Sequence, residues 1–211
     1  MMFDSIILDV DGTIWDTTNI VAEAWNCAID RLFPSVPHVT GNILKGQFGK
    51  TMEVIADNLF VGLSKADKTR LMEECCNQEQ LALKANTRNI TYEGVVETIR
   101  ELHAAGVPLF IVSNCQKGYI EVVIAKNQIT EYIKDFECYG NNGKGKAENI
   151  KLLCERNGLH TPVYVGDTQG DADACKEAGV PFIWAAYGFG TAAQYFARID
   201  SFKELKNVIH I

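Results

Sequence analysis

Apolar and polar positions follow two different rhythms along this chain, and the switches between them predict its elements. Ser5-Ile6-Ile7-Leu8 is a short β-branched run that stops at Asp9-Val10-Asp11-Gly12-Thr13, the chemistry of a strand entering a loop. Over 18–33, Ile20, Val21, Ala24, Cys27, Ala28 and Leu32 recur mainly every three or four residues, which predicts a helix broken by Pro34 and Pro37. The helical rhythm continues over 40–86 through Met52, Ile55, Ala56 and Leu59, then Leu71, Cys75, Gln78, Leu81 and Ala82, with few strand signals. Beyond that block the pattern alternates. Helices are predicted over 93–105, 118–127, 147–157 and 171–178, and strands over 108–112, 136–139, 162–165 and 181–185. Gly106, Gly158 and Gly179 are natural helix stops, and 140–145 reads as a polar, glycine-rich loop.

Strands separated by helix-length segments, each strand a nearly continuous apolar run, predict a parallel sheet covered on both faces. The expected fold is α/β: a doubly wound (Rossmann-like) parallel sheet core with an inserted helical cap. The core takes 1–16 and 87–211, and the cap takes 17–86. A length of 211 residues suits one domain with a sizeable insertion.

Composition narrows the function. Apolar residues are 47% and charged residues 22%, which excludes a disordered or low-complexity scaffold. The formal net charge is −7, with no basic block to neutralise phosphates, so neither a nucleic-acid polymer nor a membrane surface is an expected partner. The longest apolar stretches, such as 107–112 and 181–186, fall far short of the ~18 residues that a span needs. The first residues lack a basic segment followed by a long apolar run, so no secretory leader is expected. The seven cysteines are odd in number and form no CxxC pair, which fits reduced thiols in a cytoplasmic protein.

Polar residues collect at the carboxyl ends of three strands: Asp9 and Asp11, Ser113 and Asn114, and Asp167. In a doubly wound sheet those ends form one crevice. Asp9 and Asp11, two apart in an extended run, would point the same way and crowd each other. One would then stay protonated while the other ionises, a division suited to a nucleophile and a general acid/base. The alternative is an acidic turn that caps a helix. Asp167, Asp171 and Asp173 follow in Gly166-Asp167-Thr168-Gln169-Gly170-Asp171 and just beyond. Asp9, Asp167 and Asp171 would supply an oxygen-only site of the kind Mg2+ takes, unless Asp171 or Asp173 only complements a helix N-terminus. His38, His103, His160 and His210 are isolated and read as structural or surface residues.

These segments resemble the four ordered motifs of haloacid dehalogenase-like hydrolases. Asp9-Val10-Asp11-Gly12-Thr13 is similar to the DxDGT first motif. The apolar run into Ser113-Asn114 is similar to the second, a lysine before the 147–157 helix to the third, and Gly166-Asp167 with Asp171 to the fourth. The set covers about 5–185, and the helical insertion resembles the C1 cap of phosphoglycolate phosphatase and β-phosphoglucomutase relatives. The resemblance implies a phosphatase of a small phosphorylated substrate that works through an aspartyl-phosphate. Asp9 would be the nucleophile and Asp11 the general acid/base. Mg2+ would be held by Asp9, the Asp11 main-chain carbonyl and Asp167, with Asp171 orienting the lysine of the third motif, or serving as a further ligand or behind the ligands. Ser113, Asn114 and Gly12, with the loop N–H groups, would hold phosphate oxygens. For the lysine, Lys146 abuts the helix and is preferred to Lys144, which no proline follows. Lys50, in the glycine-rich stretch 46–51, would face an anion at a helix start, or lie in a plain helix–helix turn. Trp15 and Trp25 read as core or hinge packing. A phosphomutase on the same scaffold is the nearest alternative, with a phospho-receiver and a silent binding protein behind it. Oligomeric state is not legible in the sequence.

Overall fold

The computed structural model of the chain describes residues 3–209. Six strands form one sheet: β1 (Ser5–Leu8), β2 (Leu109–Ser113), β3 (Ile133–Cys138), β4 (Pro162–Gly166), β5 (Phe182–Ala185) and β6 (Ala197–Ile199). Their order is β3-β2-β1-β4-β5-β6, with every pairing parallel. This is the doubly wound order whose switch point lies beside the first strand. The α/β expectation holds.

The sheet has two buried faces because successive side chains alternate. Ile6, Leu8, Leu109, Ile111, Val163 and Val165 pack on one face. They meet α5 (Val95–Ala104) through Ile99 and Leu102, and α6 (Tyr119–Lys126) through Ile120 and Val123. Ile7, Phe110, Val112, Tyr164 and Phe182 pack on the other, against Ile150 and Leu153 of α8 (Lys146–Asn157) and Cys175 of α9 (Gln169–Ala178).

Between β1 and α5 run α1 (Thr18–Leu32), α2 (Gly41–Lys45), α3 (Met52–Leu59) and α4 (Lys65–Ala85). They bury an apolar cluster of their own: Val21, Trp25, Ile29, Leu44, Ile55, Phe60, Leu71 and Cys75 among others. Ile20 and Leu83, near the two ends of this block, pack with the sheet instead. Among the described residues, no helix is long and apolar enough to cross a membrane.

The structure corrects the sequence reading at several points. The 140–145 loop begins with a one-turn helix, α7 (Tyr139–Asn142), closed by Gly143 at φ +72°. The third strand starts at Ile133, three residues early, because its edge position leaves the alternation weak. The sixth strand and the terminal α10 (Leu205–Ile209) carry too short an apolar pattern to be predicted. All seven cysteines are free thiols. Of the four histidines, His210 lies outside the described residues.

Candidate active site

Parallel pairing places the carboxyl ends of β2, β1 and β4 side by side, so the residues after each strand share one crevice. Asp9 follows β1 directly, and its N–H donates to Val165 O at 2.8 Å. Gly12 then turns the chain at φ +83°, a conformation that side chains with a Cβ rarely adopt. A Cβ there would also lie 2.2 Å from Asp167 Oδ2. The glycine of the first motif is thus required by the close approach of Asp167.

Because β1 ends at Leu8, Asp9 and Asp11 lie in the turn, and their carboxylates take different partners. Asp9 Oδ1 takes a hydrogen bond from Lys146 Nζ at 2.8 Å. Asp11 Oδ1 is gripped from the other side by Tyr119 OH at 2.6 Å, Trp15 Nε1 at 3.1 Å and Thr17 Oγ1 at 3.2 Å. The expected mutual crowding is therefore not the leading effect. Burial pushes Asp9 up to about 6, against the pull of Lys146. Burial pushes Asp11 up to about 8, with the charge of Asp9 adding to it.

Lys146, the first residue of α8, is buried with its ammonium between two carboxylates. Its second partner is Asp171 Oδ1 at 2.5 Å. Burial opposes its charge, but Asp171 and Asp9 outweigh that and hold it well above the ordinary lysine value. Lys144 is exposed and its side chain is not brought to this cluster. Asp171 also caps α9. Its Oδ2 accepts from the Asp167 and Thr168 N–H groups and from Thr168 Oγ1, at 3.1, 2.9 and 2.8 Å. One oxygen thus holds Lys146 and the other caps the helix. Asp173 is exposed and bonds only Gln169.

Asp167 is fully buried. Burial first, and then the charges of Asp171 and Asp9, raise it well above the carboxylate range. Its Oδ2 accepts from Phe189 N at 2.7 Å, but its Oδ1 has no hydrogen-bond partner. Oxygens of Asp9, Asp167 and Asp171 lie within 4.8 Å of one another. An orphaned buried carboxylate oxygen is costly, and a hard divalent cation removes the cost. The donor set is all oxygen, which fits Mg2+.

Ser113 closes β2 and is buried, its Oγ accepting from Cys115 N at 3.3 Å. Asn114 instead reaches the helical block, donating from Nδ2 to Gly49 O at 2.8 Å. Lys50 lies in the turn before α3. Its ammonium folds back onto Gly46 O and Gln47 Oε1, at 2.8 and 3.1 Å, rather than toward Asp9. Several residues that hold the site carried no sequence signal. Tyr119, Trp15 and Thr17 position Asp11, Phe189 positions Asp167, and their own segments read as core or loop.

The profile of the haloacid dehalogenase-like hydrolase family matches residues 6–185. A phosphoglycolate phosphatase of Vibrio parahaemolyticus is 23% identical over 98% of this chain and 96% of its own length. Another, of Nitrosospira multiformis, is 26% identical over 88% of this chain and 84% of its own. The crystal structure of a predicted phosphoglycolate phosphatase from Haemophilus somnus covers 99% of both chains, with a TM-score of 0.86 at 19% identity. Four motif segments in family order, converging at the strand ends of a sheet with this topology, agree with that match, and the chain belongs to the haloacid dehalogenase-like hydrolases.

Proposed function

We propose that the chain is a Mg2+-dependent phosphomonoester hydrolase of a small phosphorylated metabolite, working through an aspartyl-phosphate on Asp9. The observation that carries this is the buried cluster in which Lys146 neutralises Asp9 and Asp171 while Asp167 Oδ1 is left without a donor. That is a site made for a divalent cation and a phosphoryl group together. Asp9, Asp167 and the Asp11 main-chain carbonyl would hold Mg2+. When bound, the ion supplies charge neutralisation, so that an anionic ester can approach an anionic nucleophile.

The chain's own residues do the rest. An Asp9 oxygen attacks phosphorus in line as the bond to the leaving alcohol oxygen breaks. Asp11, held near 8, is protonated at neutral pH and gives its proton to that oxygen. In the second half, Asp11 takes a proton from the water that cleaves the acyl phosphate. Tyr119, Trp15 and Thr17 fix its carboxyl while this happens. Lys146 neutralises charge on the phosphoryl oxygens and Asp171 positions Lys146. Ser113 and the loop N–H groups bind the remaining oxygens. The block 17–86 serves as a cap that excludes water, linked to the core through Asn114 to Gly49 and Gln80 to Lys117.

The test is phosphate release from a panel of phosphomonoesters with Mg2+, comparing wild type with Asp9→Asn. Turnover should fall by several orders of magnitude on losing the anionic nucleophile. Equal release from both proteins would overturn the assignment.

A further inference from the structure

A carboxylate stands in the wall of the site that the proposed chemistry does not use. Glu79, on α4, is only 3% exposed and is paired with no lysine or arginine among the described residues. Its Oε2 accepts from Trp25 Nε1 at 2.8 Å and its Oε1 from Gln116 Nε2 at 2.8 Å. Both donors are neutral. A carboxylate has about four acceptor positions, so one on each oxygen remains open.

Glu79 lines a small cavity between the helical block and the strand ends, together with Asp11, Trp25, Phe48, Asn114 and Gln116. The space is about 30 Å3, room for roughly two water-sized groups, and Ser113, like Asp11, lines it as well. Asn114 contributes a second acceptor. The Gly49 carbonyl fixes its amide by taking Nδ2, and this leaves Asn114 Oδ1 buried with no partner. Among the described residues Lys50 is the one cation along the cavity; its ammonium keeps its charge but donates to Gly46 O and Gln47 Oε1, and to neither Glu79 nor Asn114. This wall therefore presents two open acceptors, Glu79 and Asn114 Oδ1, that no cation bonds.

We propose, resting on the phosphohydrolase reading above, that Glu79 and Asn114 Oδ1 select a short leaving group that donates hydrogen bonds, a hydroxyl or an ammonium, and reject one that carries a carboxylate. A donor from the substrate completes two buried acceptors. Burial raises Glu79 to about 7, so above that pH it is ionised and a carboxylate would face it with no ion pair made to either group, a costly arrangement of buried like charges. This sets the chain apart from the activity named for its relatives, since the glycolate leaving group bears a carboxylate.

Four esters of one size test it: 2-hydroxyethyl phosphate, O-phosphoethanolamine, ethyl phosphate and 2-phosphoglycolate. The quantity measured is kcat/KM for phosphate release with Mg2+ at pH 8, where Glu79 is ionised. Wild type should favour the hydroxyethyl or the aminoethyl ester over ethyl phosphate and phosphoglycolate by at least about tenfold, since a site built around hydrogen bonds discriminates strongly against partners that lack them. The ranking of the first two tells whether the acceptor pair takes a neutral or a cationic donor. Glu79→Gln should narrow the gap between hydroxyethyl phosphate and phosphoglycolate by about tenfold or more. Phosphoglycolate as the equal or better wild-type substrate overturns this inference and leaves the phosphatase intact. Absence of Mg2+-dependent release from every ester, here and in the wider panel, overturns the phosphatase reading and this inference with it. The wild-type ranking decides even if the variant does not fold.

Discussion

Replacing Lys146 with Met isolates the electrostatics of the site. Met keeps most of the apolar stem and removes only the ammonium. At 2.8 Å from Asp9 and an effective dielectric of 20, that ammonium contributes about 6 kcal/mol of Coulomb attraction to this one pair. The desolvation of both groups offsets much of it. Truncating one partner of a buried ion pair then costs about 3–5 kcal/mol, because the other charge is left behind. Here two carboxylates are left, at 2% and 1% side-chain exposure. Against a total stability of about 5–15 kcal/mol, Lys146→Met should sit close to the folding threshold in chelator at pH 7.5. Lowering the pH should restore much of the loss. Asp9 titrates at about 6 even beside the lysine, and without the lysine it protonates at higher pH still. Urea unfolding of wild type and variant at pH 7.5 and pH 5, both in chelator, measures the difference directly. A penalty under about 1 kcal/mol at pH 7.5, or one that does not shrink at pH 5, would refute the reasoning.

Two further outcomes follow from the geometry. Gly12→Ala should cost about 1–3 kcal/mol for backbone strain at positive φ and should also displace Asp167, so Mg2+ titration by thermal shift should show weakened binding relative to wild type. Glu79 is raised by burial from 4.5 to about 7, so the folded state binds the extra proton. Its contribution is complete below about pH 4.5 and is lost as pH rises through 7, amounting to about 3 kcal/mol over that span. Glu79→Gln should therefore gain stability relative to wild type between pH 5 and pH 8 in urea unfolding, and parallel curves would contradict this.

The elements that position the motifs were legible because each carries a local signature. Ser5–Leu8 and Leu109–Ser113 are unbroken apolar runs that stop at polar residues, and Gly158 and Gly179 close helices in the left-handed conformation. Asp9, Asp167 and Lys146 were legible as a group through family resemblance, and the sheet explains why three distant segments meet. What stayed hidden was whatever depends on one element approaching another. Tyr119 opens an apolar helix and reads as core, yet its hydroxyl is the shortest contact on Asp11. Trp15 and Trp25 read as packing and are fully buried, but each also spends its indole N–H on an acid, Asp11 and Glu79. Glu79 lies in a polar stretch of α4 that looks solvated until Gln116 and Trp25 enclose it. Ala197–Ile199 is a three-residue edge strand, too short for a period of two to declare itself.

The distribution of apolar clusters bears on how such a site could open. The helices between β1 and α5 bury a cluster drawn wholly from their own residues, so they do not depend on the sheet for their packing. Polar bonds join them to the strand ends around the cavity, Asn114 to Gly49, Gln80 to Lys117, Gln116 to Glu79 and the Lys45–Asp16 pair, beside the Phe48–Phe189 ring contact and the packing of Ile20 and Leu83 on the sheet. Parting the two around the cavity would exchange these polar bonds for water at small net cost each, while Ile20 and Leu83, near the ends of the block, can stay packed on the sheet. In the proposed reaction, closing would bring Glu79 of α4 back beside Asn114, which follows β2. The residues that would make the cap hold shut are thus also those proposed to read the substrate. A leaving group with the right donors would favour the closed state, and one with a carboxylate would meet Glu79 only on closure, where water no longer screens it.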